Sequence, residues 1–468
     1  MDSQEFRKHA HELVDWMADY IENTEQYPVK SQVKPNEIYD SLPDQAPEKG
    51  EPMPEILSDF HQHIMPGLTH WQSPNFFAYY PSNTSYPSIM AEMISAALGT
   101  QGMIWDTSPA ATELEQKVTD WLKPVLGLPN DWSGVIHHGA SMSTLTSILC
   151  AREQHSGFKI NEEGFEGFTN FKVYCSKETH SSVEKSVKIG GFGKSNLSTI
   201  ETDEVGAMKA AELRKTIEAD IKNGMKPICV IAAIGTTGTT AIDPLEEIAA
   251  ICKEHNIWLH VDAAYAGTAL VLPEYRWMIK GIEHADSFVF NPHKWMFTNF
   301  DCSVYFVKDK KALTDTFEIL PEYLKTQSKG VTDYRDWGVP LGRRFRSLKL
   351  WFVIRNMGVE GIRSRIRTHI ELAQQFVGWI EDHPDFEMIV PLSLNNICFR
   401  YAPDHIKSEE ELNLQNEALL HAINKTGKIY LTHTKVHGKY TLRIVVAHTR
   451  VTENHIKKAW ELIQQLAD

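Results

Sequence analysis

Between residues 134 and 309, short β-branched and apolar runs alternate with longer helical ones, and this alternation constrains the fold more than any other feature of the chain. GVIHHG (134–139), FKVYCS (171–176), ICVIAAIG (228–235), IWLHVDAA (257–264), DSFVFNPH (286–293) and SVYFVKD (303–309) read as strands. MSTLTSILCARE (142–153) and DPLEEIAAICKEH (243–255) read as helices between them. Strand, helix, strand in chain order predicts an α/β fold, a mainly parallel sheet flanked by helices. Ligands of such sheets gather beyond the carboxyl ends of the strands. Residues 354–468 read as a smaller C-terminal α/β domain, with helices near 359–382 and 453–467 and strands near 395–401 and 440–447.

The 468 residues suggest about three domains at roughly 150 residues each. The reading is an N-terminal helical segment (1–85), a large domain (86–353) and the small domain (354–468). In the first segment Phe6, Leu13, Met17, Tyr20 and Ile21 recur at helical spacing. A Pro- and Glu-rich strap follows from Val33 to Pro54, where proline removes amide donors and fixes φ. Such a segment cannot bury its own apolar face, so it is expected to pack across a homodimer.

Lys and Arg total 47 against 61 Asp and Glu, a formal charge of −14, without the basic excess that nucleic-acid binding favours. The six cysteines form no CxxC pair and no disulfide-framework spacing. No run approaches ~18 consecutive apolar residues, so no membrane span is expected, and MDSQEFRKHAHELVDW lacks a signal-peptide core. A cytoplasmic enzyme is the expectation.

Three features carry chemistry. Lys294, in Asn291-Pro292-His293-Lys294-Trp295, follows the apolar run SFVF at a strand's carboxyl end; lysine there can form Schiff bases, although in isolation it also reads as a surface turn lysine. Asp262, in HVDAAYAG, shares one strand face with His260 and Ala264. It suits a pyridinium nitrogen, or equally a cap or salt bridge. Gly139-Ala140-Ser141 opens a helix, where free amides and the helix dipole favour an anion; an ordinary serine N-cap is the plainer reading. Together, phosphate anchor, ring carboxylate and lysine describe a site for pyridoxal 5'-phosphate. Thr236, Thr237, Asn291 and His293 can add contacts, and His180 can stack on the ring. His137-His138-Gly139 reads as loop beside the cofactor, with no metal-ligand spacing.

On WQSPNFFAYYPS (71–82), SPAATELE (108–115), WLHVDAAYAG (258–267), FNPHKW (290–295), TDYRDWGVPLGRRFRSLKLWFV (332–353) and LRIV (442–445), the chain resembles the group II pyridoxal-phosphate decarboxylases, in their aromatic-L-amino-acid branch. The resemblance implies the aspartate aminotransferase-like fold (fold type I of these enzymes) and decarboxylation of Dopa, Trp, Tyr or 5-hydroxytryptophan to the amine. It implies that Lys294 carries the cofactor, Asp262 pairs with the pyridinium and His180 stacks on the ring. Ala140, Ser141, Asn291 and His293 then hold the phosphate, and Thr237 and Ala264 line the ring. Tyr323, in PEYLKTQSKG, matches the loop tyrosine that reprotonates Cα; apart from the resemblance it reads as a surface loop residue.

Trp71, Tyr79, Tyr80, Pro81, Ser82 and Met103 match substrate-pocket positions, and Arg335 a residue near the tyrosine loop. Gln101 stands where relatives are often apolar. Gly342 matches a position that is Gly for bulky rings and Ser in some smaller-ring enzymes, which tilts against histidine. The nearest rival is an aromatic aldehyde synthase, which in resembling enzymes goes with loss of the loop tyrosine or the stacking histidine; both are kept here. An aminotransferase is possible on fold alone. A non-catalytic relative is expected to lose Lys294 or Asp262.

Overall fold

A computed structural model describes residues 1–319 and 330–467, and these form two compact units. One comprises Ser82–Ile370 with Val390–Asn396; the other joins Met1–Pro81 to Glu371–Ile389 and Ile397–Asp468.

The first unit is built on a seven-stranded sheet: β1 (Ser133–His137), β2 (Phe171–Ser176), β3 (Leu197–Ile200), β4 (Lys226–Ala233), β5 (Trp258–Asp262), β6 (Ser287–Phe290) and β7 (Ser303–Val307). Their order is β1-β7-β6-β5-β4-β2-β3. Only β7 runs antiparallel, against both β1 and β6, while β6-β5-β4-β2-β3 pair in parallel. The carboxyl ends of β1, β2, β4, β5 and β6 therefore open on the same edge. β5 and β6 are buried at every position, as strands covered on both faces must be. Pro227, near the start of β4, lacks an amide donor, and the β2–β4 register shifts beside it, between Lys172 and Val173.

His137 fits the strand reading of 134–139 and not the loop reading of the histidine pair. It ends β1 as a buried strand residue instead of lying in a loop. The helix expected near 359–382 in the small domain is joined to helical residues from Arg346, across a break at Gly358, whose φ of 67° is left-handed.

The second unit carries a four-stranded sheet of β8 (Phe386–Met388), β9 (Asn396–Tyr401), β10 (Thr432–Val436) and β11 (Lys439–Val445), ordered β10-β11-β9-β8. The Glu409–Lys425 and Glu453–Ala467 helices belong with it. The N-terminal helix, Ser3–Glu22, starts from a capping box between Asp2 and Glu5. Beyond it the chain is tied into its own unit. Val29 N–H donates to Gly427 O, Phe77 N–H to Tyr430 O and Val445 N–H to Phe77 O. All six cysteines are free and buried.

Candidate active site

The loops at the open sheet edge bring the expected residues to one place. Asp262 closes β5, and Ala264 N–H donates to its Oδ1 at 3.0 Å. That bond fixes the carboxylate and leaves Oδ2 for a cationic partner. On the neighbouring strand, β6 runs into Asn291, which is tied back to the β5 loop by its N–H to Ala264 O at 3.0 Å. Lys294 follows one short turn later. Burial pushes its ammonium below the ordinary lysine value, opposed by the Asp262 charge.

Internal hydrogen bonds fix how the neighbouring side chains can act. Ser303 Oγ donates to Asn291 Oδ1 at 2.6 Å, leaving the amide N–H₂ as the free end. Cys302 N–H donates to His293 Nδ1 at 2.9 Å, which assigns the ring proton to Nε2. Burial pushes His293 down to about 3, so it is neutral. Ser182 N–H likewise donates to His180 Nδ1 at 3.1 Å, so His180 also offers an Nε2–H. His180 lies at the exposed mouth of the site. Desolvation lowers its pKa, while Asp262 pulls it up and Lys294 pushes it down.

The Ala140–Ser156 helix begins at the same edge, directly after β1. Gly139 O accepts the amides of Met142 and Ser143, while the Ala140 and Ser141 amides head the helix and have no acceptor within it. Nothing stands within 4 Å of where a Gly139 Cβ would lie, so the cradle is open to a bulky anion. After β4, Gly235 adopts φ +92°, and a Cβ there would stand 2.8 Å from Ala266. This turn brings Thr236 and exposed Thr237 beside the β5 loop. Asn396 Nδ2 bonds Gly238 O at 3.1 Å and holds the turn.

The substrate positions fall into two groups. In the sheet unit, Arg335 N–H donates to Met103 O at 2.9 Å and Arg343 N–H to Gln101 Oε1 at 2.6 Å. A Cβ on Gly342 would lie 3.5 Å from Gln101 Nε2. Gln101, Met103, Arg335 and Gly342 thus share one cluster. It is backed by a buried Arg343–Glu115 ion pair, with Arg343 also 4.6 Å over the Tyr334 ring. A cavity of about 40 Å³ is lined by Gly342, His138 and Met142, the last on the anion-cradle helix. Ser82 belongs to this unit, beside Asn83. In the other unit Trp71 stacks on Tyr79 at 5.9 Å, and Arg443 lies 5.3 Å over Tyr80, next to buried Pro81. Tyr323 lies outside the described residues.

Two supports of Lys294 were not foreseen. Asn83, fully buried, donates its side-chain N–H to Lys294 O at 2.8 Å. Trp295 stacks on Tyr265 at 4.9 Å between centroids, and its indole N–H donates to His369 Nδ1 at 2.9 Å. The hydrogen-bond partners lie 74 and 211 residues away in sequence, so local pattern could not reveal them. The one signal was an aromatic residue directly after the lysine.

The donor set fits pyridoxal phosphate: an open helix-start cradle for phosphate, a fixed buried carboxylate for the ring nitrogen, and a desolvated amine for the aldehyde. The family model for the pyridoxal-dependent decarboxylase conserved domain matches residues 35–402. The chain belongs to the pyridoxal-dependent decarboxylase family. Within it, the chain falls in the aromatic amino acid branch, whose cofactor is pyridoxal 5'-phosphate. It is 44% identical to tyrosine decarboxylase 2 of Narcissus pseudonarcissus, over 100% of this chain and 95% of the relative. It is 43% identical to a phenylacetaldehyde synthase of Arabidopsis thaliana, over 100% and 96%. Its fold matches the crystal structure of Oryza sativa TDC with PLP and tryptamine at a TM-score of 0.96 and 36% identity, covering 100% of this chain and 98% of that one. This branch of the decarboxylase family therefore holds both decarboxylases and aldehyde synthases.

Proposed function

We propose that this decarboxylase-family enzyme converts an aromatic L-amino acid to its amine and CO₂, without consuming O₂. The observation that carries the reading is the fixed Asp262 carboxylate and the desolvated Lys294 amine at adjacent strand ends, with His180 electrostatically coupled to both. Bound pyridoxal phosphate supplies an aldehyde for amines and a ring that takes up the electrons freed when CO₂ leaves.

The chain's own residues do the rest. Asp262 keeps a proton on the ring nitrogen, so the ring stays an electron acceptor. Lys294 is the amine that would hold the cofactor through its aldehyde until substrate arrives. Ala140, Ser141, Asn291 and His293 offer N–H groups suited to the phosphate, with Thr237 and Ala264 beside the ring. His180 would stack on the face of the bound ring. Tyr323 returns a proton to Cα; at pKa ~10 a phenol is acid enough for a far more basic carbon. Retention of Tyr323 and His180 supports amine over aldehyde as product.

Gly342, at a position that resembling enzymes keep as Gly for bulky rings, supports a flat aromatic ring as substrate, with Dopa, Trp, Tyr and 5-hydroxytryptophan as candidates. The Narcissus relative's name specifies tyrosine, and the Oryza structure holds tryptamine. CO₂ release measured across Dopa, Trp, Tyr, Phe and His tests this; activity confined to His contradicts it.

The working form we propose is a homodimer. Tyr86, Met90, Ile94 and Leu98 stand exposed at four-residue spacing along the Tyr86–Leu98 helix, with Met93 beside them. A continuous apolar stripe of this kind favours a protein partner. A second copy of the chain satisfies such a stripe; the N-terminal helix of the other unit likewise leaves Phe6 and Val14 exposed.

A further inference from the structure

The helix that heads the anion cradle, Ala140–Ser156, meets the sheet through hydroxyl groups where aliphatic packing is usual. Ser143 Oγ lies 3.0 Å from His137 Nδ1. One turn on, Ser147 Oγ lies 3.0 Å from His260 Nδ1, 2.9 Å from Ser287 Oγ and 3.1 Å from Tyr305 OH. His260 Nδ1 is also 3.0 Å from Ser287 Oγ, its register partner across β5 and β6. Trp258 Nε1–H donates to Ser287 Oγ at 3.0 Å. All of these groups are buried.

The protons can be assigned. Ser147 donates to the Tyr305 oxygen. The Ser147 lone pairs are then left to accept the His260 Nδ1–H at 3.0 Å. His260 Nε2 is in turn unprotonated, and that atom is buried without a hydrogen-bond partner. An aliphatic side chain would fill this place without burying an unpaired polar nitrogen, so packing does not explain the histidine. Its position does. His260 sits two residues before Asp262 on the same side of β5, and through Ser147 it grips the helix whose first amides form the cradle.

We propose that His260 is a positioning residue that ties the anion-cradle helix to the strand carrying Asp262, holding phosphate seat and ring-nitrogen partner at a fixed spacing. A ligand that spans both points feels this spacing, because its second contact forms at the effective concentration set by the first. A ligand that reaches only the ring end does not. The tie is indifferent to whether turnover ends in amine or aldehyde.

The test is cofactor binding by apoenzyme, followed by absorbance, with pyridoxal phosphate and phosphate-free pyridoxal compared. His260→Leu and Ser147→Ala are expected to weaken pyridoxal phosphate by about tenfold, with pyridoxal changed by less than about threefold. His260→Asn places an amide where Nδ1 stands and is expected to restore most of the difference. The proposal is overturned if Ser147→Ala, the smaller change, leaves the ratio of the two affinities at the wild-type value. It is equally overturned if His260→Leu weakens both ligands by the same factor, or if His260→Asn fails to separate from His260→Leu.

Discussion

Asn83 and Lys294 are joined by a partly buried hydrogen bond, side-chain N–H to backbone carbonyl at 2.8 Å. Ser85 Oγ continues the contact by donating to Phe297 O at 2.8 Å. The amine that receives the cofactor is therefore held from the start of the exposed apolar helix. Asn83→Ala leaves the Lys294 carbonyl without this donor, a loss of about 1–3 kcal/mol in stability. Urea unfolding of apoenzyme checks it, and an unchanged midpoint would show that the bond is replaced.

Lys294→Ala should abolish the visible absorbance of lysine-bound cofactor and lose activity, with the fold intact by circular dichroism. Asp262→Ala should keep that absorbance and still lose at least about 100-fold in kcat, since it removes a charge that matters most as electrons enter the ring. The paired spectra and rates separate the two roles.

Acid sensitivity follows from three buried neutral histidines. Burial pushes His137 and His293 down to about 3 and His260 to about 4, against about 6.5 in the unfolded chain. Below pH ~6.5 the unfolded state takes up protons that the folded state refuses, so stability falls as pH falls. Each such histidine contributes at most ~1.4 kcal/mol per pH unit in that window. Denaturation between pH 7 and 5 checks the slope. His137→Phe, whose ring can keep the stack on Tyr305 (5.3 Å between centroids), should make it shallower.

Gly342→Ser should fold normally, because its Cβ meets only Gln101 Nε2 at 3.5 Å, an ordinary contact. The hydroxymethyl group adds bulk beside Gln101, so kcat/KM for Trp relative to Tyr should drop by about tenfold. A ratio that stays constant places the ring elsewhere.

Strands β5 and β6 were legible because each is a fully buried run ending directly in Asp262 or in Asn291 and Lys294. The strands that escaped notice, β3, β8 and β10, are all edges. Edge strands are short and carry polar, exposed positions, as in β10, where burial alternates along THTKV. His137 looked like loop because a histidine pair precedes a glycine; its bonds to Ser143 Oγ and Trp337 O satisfy it inside the sheet. The Arg343–Glu115 pair, 228 residues apart, and the Asn83 bond exist only through tertiary folding.

The most direct measurement is O₂ consumed per CO₂ released during turnover of an aromatic amino acid, with amine and aldehyde quantified together. Wild-type enzyme should release amine equal to CO₂ with almost no O₂ uptake. Tyr323→Phe, which keeps the ring and removes the proton, should shift product toward aldehyde and peroxide. Wild-type consumption of one O₂ for each CO₂, with aldehyde as product, contradicts the account and makes the chain an aldehyde synthase.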